Sequence, residues 1–296
     1  MRPQNPNTMK NRIFTAICMA VLAMTACSKE YPSTLPSQKI AGIYEASTIK
    51  TEMFMAGEWK TMSNKTNERQ LAHEFTWEGN ELESMTDHNL GRFYSFGYDE
   101  KGRIDHIYSN SDQDFSRVIS YDGDGHVVLS KGTIRMGNGT LLASQDFTFT
   151  WTGGTLEKVE EVFWSHYPDE EEINLTSTRT YTWENGNVVK TVRSEVKNGS
   201  PLNDTVYTYE YGTEANPLHG FVYTLHPSNG IIFDYEGIDC LSRNLPSRIM
   251  PGNDGVRYEY TYSGSPLAKA EKHMIGDTSP IMHMFTDFTL DFEYVK

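Results

Sequence analysis

Carboxylates are the most abundant reactive side chains in this sequence, with 40 Asp and Glu against 26 Lys and Arg. Four of them bracket one short segment, Asp112 and Asp114 before it and Asp122 and Asp124 after it. Asp-x-Asp spacing can offer oxygens to Ca²⁺, which takes about six to eight of them. The Gly and Glu spacing of a Ca²⁺-binding loop does not follow, so these residues read first as turn formers. Asp122 and Asp124 stand as weak Ca²⁺ candidates, and no metal or cofactor is expected. Asp169-Glu170-Glu171-Glu172 follows Pro168 and reads as a solvated acidic loop. Acids that hydrolyse a glycoside must face each other at a set separation, and in a chain this acidic no pair stands out. The nine His have no three-ligand spacing, and no Ser sits in a nucleophile elbow. The chain is not expected to be an enzyme.

Aromatic rings offer a second chemistry, since an exposed ring can stack on a sugar. The five Trp are Trp59, Trp77, Trp151, Trp164 and Trp183. Trp77, Trp151 and Trp183 recur at one position of a repeat described below, so the core is their expected place. Trp164, in Val162-Phe163-Trp164-Ser165-His166-Tyr167, breaks that repeat and precedes the acidic loop. Trp164, His166 and Tyr167 are the expected ligand contacts. Cys240 has no His beside it in sequence and reads as a small buried residue.

The formal charge is −14, and residues 1–27 hold Arg2, Lys10 and Arg12 with no acid, so the remainder carries −14 − 3 = −17. Nucleic-acid binding needs a basic footprint, and none is present. Lys10 and Arg12 precede an apolar run from Ile13 to Met24, the pattern of a secretory signal. Met24-Thr25-Ala26-Cys27 then resembles the lipobox of bacterial lipoproteins, with Met where Leu is usual. The resemblance implies lipidation of Cys27, cleavage before it and a membrane partner held through the lipid. Ser28 after the Cys is similar to the outer-membrane sorting signal; Glu30 is a weak version of the acidic surface-export signal, which leaves cell surface and periplasmic face open. Residues 28–38, with Pro32 and Pro36, are expected to form a tether. The division is 1–27 signal peptide, 28–38 tether and 39–296 a single all-β domain.

The elements that must position these residues follow from one recurring pattern: aromatic or aliphatic, any residue, aromatic, then a turn rich in Asp, Asn and Gly. The copies begin at Phe75, Phe96, Ile119, Phe149, Tyr181, Tyr209, Phe233 and Tyr260. Gly and Asn supply the positive φ of tight turns. The flanks alternate with period two, as in Val256 to Tyr262 and in Phe288, Leu290, Phe292 and Tyr294 against Thr289, Asp291 and Glu293. Eight such units predict roughly sixteen antiparallel strands, since the turns are too short for crossover helices. The expected fold is all-β, a long meander of repeated hairpins curled into a barrel-like or half-barrel sheet with aromatics inward. The only helix candidate is Pro266 to Met274. A transmembrane barrel fits less well, because the face opposite the aromatics is charged or Thr-rich.

Tyr181-Thr182-Trp183-Glu184-Asn185-Gly186-Asn187-Val188, Asn244-Leu245-Pro246 and Tyr258-Glu259-Tyr260-Thr261-Tyr262 resemble a family of Bacteroides-type lipoproteins of unknown function with a porin-like all-β fold. Tyr98 to Ile104 is similar to the YD repeats of secreted shell-forming proteins. These motifs imply a fold and carry no catalytic residues. The function expected is that of an outer-membrane-anchored, non-enzymatic binding or interaction protein for glycans or another envelope component, with an envelope scaffold or assembly partner as the alternative and a hydrolase behind both.

Overall fold

The computed structural model describes residues 34–110, 113–226, 229–233, 236–252, 257–275 and 282–296. The first strands are β1 (Ile40–Met55), β2 (Glu58–Glu78), β3 (Glu81–Asp87), β4 (Arg92–Tyr98), β5 (Ile104–Asn110) and β6 (Gln113–Tyr121). Next come β7 (Val127–Met136), β8 (Leu141–Thr152), β9 (Thr155–Ser165), β10 (Ile173–Glu184) and β11 (Asn187–Lys197). The last are β12 (Ser200–Pro201), β13 (Thr205–Ala215), β14 (Asn244–Pro251), β15 (Arg257–Ser263), β16 (Lys269–Ile275) and β17 (Met282–Tyr294). All 17 belong to one antiparallel sheet. β12 is a two-residue addition to the end of β11, and β11 pairs β13 directly, so 17 − 1 = 16 strands form the wall. Because β1 pairs both β2 and β17, the wall closes into a barrel. Closure removes the open edges that a meander of this length would expose. The expected helix at Pro266 to Met274 is instead largely β16, whose alternation Ala270, Lys272, Met274 follows the strand period.

The turns at one end of the barrel are built as their sequence dictates. In Tyr98 to Ile104 the Asp99 carboxylate accepts the N–H groups of Lys101 and Arg103, and Gly102 takes φ +73°. The same device recurs at Tyr121 to Val127, where Asp122 accepts the N–H groups of Asp124 and His126 and Gly125 takes φ +90°. An L side chain at either Gly would be strained.

The aromatic that ends each repeat has a further use. Trp77 Nε1 donates to the carbonyl of Ile40, Trp151 to Val127 and Trp183 to Leu156, each at 2.7 Å. Tyr98, Tyr211, Tyr262 and Tyr294 send their hydroxyls to the carbonyls of Leu82, Val188, Pro246 and Leu267 at 2.6–2.8 Å. Tyr121 does the same to Ile104. Eight rings thus clip eight hairpins around the base, each reaching back to where the preceding strand begins. All eight are half-buried against the core, so the expectation for Trp77, Trp151 and Trp183 holds. One copy of the repeat differs: Phe233 lies outside the strands among the described residues, and the eighth unit is Phe292 to Tyr294 in β17.

A lumen of sixteen strands is wide enough for water, but here it is filled. The chain between β13 and β14 folds inward and buries Leu218, Phe221, Tyr223, Leu225, Ile231, Ile232, Phe233, Ile238 and Leu241 against inward-facing Phe75, Met85, Phe147 and Val159. This plug carries a 3-10 turn at Val222–Leu225 and a one-turn helix at Ile238–Leu241. Asp239, fully buried, accepts the N–H groups of Ile231 and Ile232 and so folds the plug back on itself.

Polar side chains fasten the plug to the wall across β6 to β11. Arg117 donates to Gln145, Gln145 to Glu161, and Arg179 to both Glu161 and the plug's Glu236, at 2.7–2.8 Å. Arg193 donates to the other Glu236 oxygen at 2.8 Å. Burial pulls the Arg117 guanidinium down to about 10, which still leaves it charged at neutral pH. It can lie there because β7 opposes it with Gly132, where a Cβ would stand 2.9 Å from a guanidinium nitrogen.

Thr34 to Gln38, within the segment expected as a tether, cross the base. Thr34 accepts the N–H of Ile104 on its hydroxyl and that of Val222 on its carbonyl, and Ser37 donates to the Asn216 carbonyl. At the other end β1, β2 and β17 run on past their neighbours as a three-stranded tongue. Residues 58–71 of β2 have no strand on their second side among the described residues. The outer wall carries exposed Glu74, Thr76, Glu83, Thr148 and Glu160, so its solvent face is polar while the apolar core and the network that ties the plug lie inside. No helix among the described residues is long and apolar enough to cross a membrane.

Candidate functional site

Between the plug and the rim, at the root of the tongue, lies a cavity of about 310 Å³. Its wall is supplied by inward-facing Glu45 of β1, His73 of β2, Asp87 of β3, Tyr94 of β4, Tyr260 of β15, Lys272 of β16, and Phe288 and Leu290 of β17. Tyr223 and Asn229 to Ile232 of the plug form the floor, with Leu90 and Arg92 at the lip. Strand alternation aims each wall residue inward, and closure of β17 on β1 brings the two ends of the chain to one site.

The polar groups are held in place. Asp87 accepts the N–H of Leu90 at 2.9 Å, and Asn89 Nδ2 donates to Glu45 at 3.2 Å. Tyr94 and Tyr223 meet edge to face at 5.1 Å, and burial raises the Tyr223 phenol so that it stays neutral. Lys272 Nζ lies 4.8 Å over the Tyr258 ring and 5.4 Å over that of Phe288. Rings, carboxylates and one ammonium around a space near the lower end of the roughly 300–1,000 Å³ of small-molecule sites suit a polar ligand with an apolar face. The size fits about one sugar ring.

A second polar group has the look of catalytic machinery. Ser130 Oγ and His226 Nε2 are 2.7 Å apart, and Arg117 donates to the same Oγ at 3.1 Å. Both Ser130 and His226 are 0% exposed, so no substrate reaches them. Burial, with the charge of Arg117, holds the imidazole well below its usual range and therefore neutral. The pair joins wall to plug.

The residues expected from sequence lie elsewhere. Trp164 stands half-buried on the outer wall, its Nε1 donating to Glu172 at 3.1 Å. His166 is exposed and Tyr167 half-buried in the loop that follows. Nothing brings the three into the cavity. Asp122, Asp124 and His126 do offer ligand atoms within 4.8 Å of one another. However, one Asp122 oxygen is taken by two turn N–H groups, the other lies 3.3 Å from His126 Nδ1, and the His126 ring stacks on Trp151 at 4.7 Å. Their geometry is that of the turn. Cys240 packs against the core, and burial pushes its thiol up to about 12, the state of an unreactive group. Asp112 and Cys27 lie outside the described residues. The cavity residues were not legible in the sequence, because each is one inward position among many and only barrel closure selects them.

No family model matches the chain, and no curated protein does. Among solved structures it is similar to a porin-like protein from Bacteroides uniformis ATCC 8492, at 14% identity and TM-score 0.46, over 89% of this chain and 100% of that one. It is also similar to a porin-like protein from Bacteroides vulgatus ATCC 8482, at 10% identity and TM-score 0.46, over 83% and 97%. The barrel itself is established by its own strand pairings.

Proposed function

We propose that this chain is a lipoprotein, anchored in the outer membrane through Cys27, that acts as a non-enzymatic binding protein and receives a small glycan or glycan-like envelope component in the mouth cavity. The observation that carries this reading is the cavity itself, set at the end of the barrel opposite the base that Thr34 crosses. The plug's buried charges are committed to structural contacts, which supports binding rather than catalysis. Thermal-shift screening of the mature protein against mono- and disaccharides tests it. At least one sugar is expected to raise the melting temperature, with the rise lost in Glu45→Gln and Lys272→Met; a shift in neither wild type nor variants would reject the cavity as the seat. Protease treatment of intact cells separates the cell surface from the periplasmic face. An envelope scaffold is the second reading, favoured by the edge of β2, which has no strand on its second side over residues 58–71 among the described residues and where a partner strand could add to the tongue.

A further inference from the structure

Most of the outer wall alternates acids, bases and threonines, but the patch on β4 to β6 does not. Phe93, Tyr108 and Val118 are 42%, 44% and 45% exposed. Tyr108 lies opposite Ser95 on β4 and Ser116 on β6, while His106 lies opposite Gly97 and Val118. Phe93 precedes Ser95 by two residues and Val118 follows Ser116 by two. Phe93, Tyr108 and Val118 therefore fall on one diagonal across three strands, with Tyr108 a diagonal neighbour of each of the other two. The His106 ring lies parallel to that of Tyr108, with centroids 5.7 Å apart and planes 9° apart, and Asp105 holds its Nδ1 at 2.7 Å. The side chains between the rings are hydroxyls rather than charges.

Single exposed apolar residues need no explanation, but a contiguous strip of them marks a contact surface. The chemistry of the strip selects what fits. Rings in a line offer flat apolar faces, and the flanking Ser95 and Ser116 offer hydroxyl donors and acceptors. A pyranose chain presents the complement, with C–H faces for the rings and hydroxyls for the serines. The ligand should be uncharged, because an anionic chain meets the field of a protein at −14 and the cation beside the strip, Lys131 opposite Val118, already lies 3.7 Å from the Asp146 carboxylate. We infer that the diagonal Phe93–Tyr108–Val118, with His106 beside it, is a binding track for a neutral polysaccharide chain. The track is separate from the mouth cavity and goes beyond it.

The test is affinity electrophoresis of the mature protein through native gels containing dextran, mixed-linkage β-glucan, xylan or mannan. At least one polysaccharide is expected to retard the wild type. Phe93→Ala and Tyr108→Ala should each weaken that retardation by about tenfold with unchanged circular dichroism, since both side chains are exposed. Val162→Ser, on the outer wall of β9, should leave it intact, and so should Glu45→Gln in the cavity. Absence of retardation by all four polymers overturns the inference. So does retardation that Glu45→Gln abolishes and Tyr108→Ala does not, an outcome that leaves the cavity reading standing. Sedimentation with phosphatidylethanolamine vesicles that Tyr108→Ala abolishes, without polysaccharide binding, would overturn it in favour of a lipid surface.

Discussion

Trp151 and Tyr98 reach the same result with different atoms: each buries a ring under the barrel wall and hands its one polar hydrogen to a backbone carbonyl of the preceding strand. A buried carbonyl without a partner is unfavourable, so the ring's polar tip matters as much as its area. Trp151→Phe is expected to lower unfolding free energy by about 1 kcal/mol in urea titration, and Trp164→Phe, whose donor meets an exposed Glu172, by much less. Glu236 is a harsher case. It is 2% exposed and pairs with Arg179 through one oxygen and with Arg193 through the other. Removing one member of a buried charge group costs about 3–5 kcal/mol, so Glu236→Gln should shift the urea midpoint clearly downward. His226 sets a pH dependence. Its folded imidazole titrates well below the unfolded one, so between those two values the unfolded chain binds the extra proton. Stability is then full above about pH 6.5 and falls as pH drops below it. Melting temperatures from pH 8 to 5 should decline on the acid side, and His226→Gln should flatten that decline.

At the scale of elements, the hairpins were legible and the plug was not. Period-two alternation, turn residues and a recurring strand-end aromatic specify a hairpin locally, so strands such as β10 and β11 stand out around Asn185 and Gly186. Phe233 shares that local pattern, yet its fate is set by long-range burial inside the barrel, which a short window does not encode. The same reason hid the cavity and led to Trp164, which stands out only because it departs from the repeat. The tongue gives an element-scale test. Its residues 58–70 of β2 are exposed on both faces, and no core lies beneath them. Replacing residues 51–63 by an Asn-Gly turn should change the unfolding free energy by no more than about 1 kcal/mol, because little apolar area is lost. A large loss would mean that the tongue supports the wall.

As a whole molecule the barrel inverts the logic of a pore. Its apolar side chains point inward onto the plug, and the charges that do point inward are tied into the plug's ion-pair network or line the mouth cavity. Incorporated with planar bilayers, the purified protein should give no conductance steps, since the lumen is packed. The sixteen-strand wall also has a consequence in time. The final pairing joins β17 to β1, setting Tyr294 against Ile40 and Phe292 against Ile43, and the Val295 N–H reaches the Lys39 carbonyl. That contact spans nearly the whole sequence, and contacts of such separation close slowly. The ring therefore cannot shut until β17 is in place. Until then both seam strands stand as open templates for wrong partners, so a chaperone that shields those two ends would do more for yield than any change to the core.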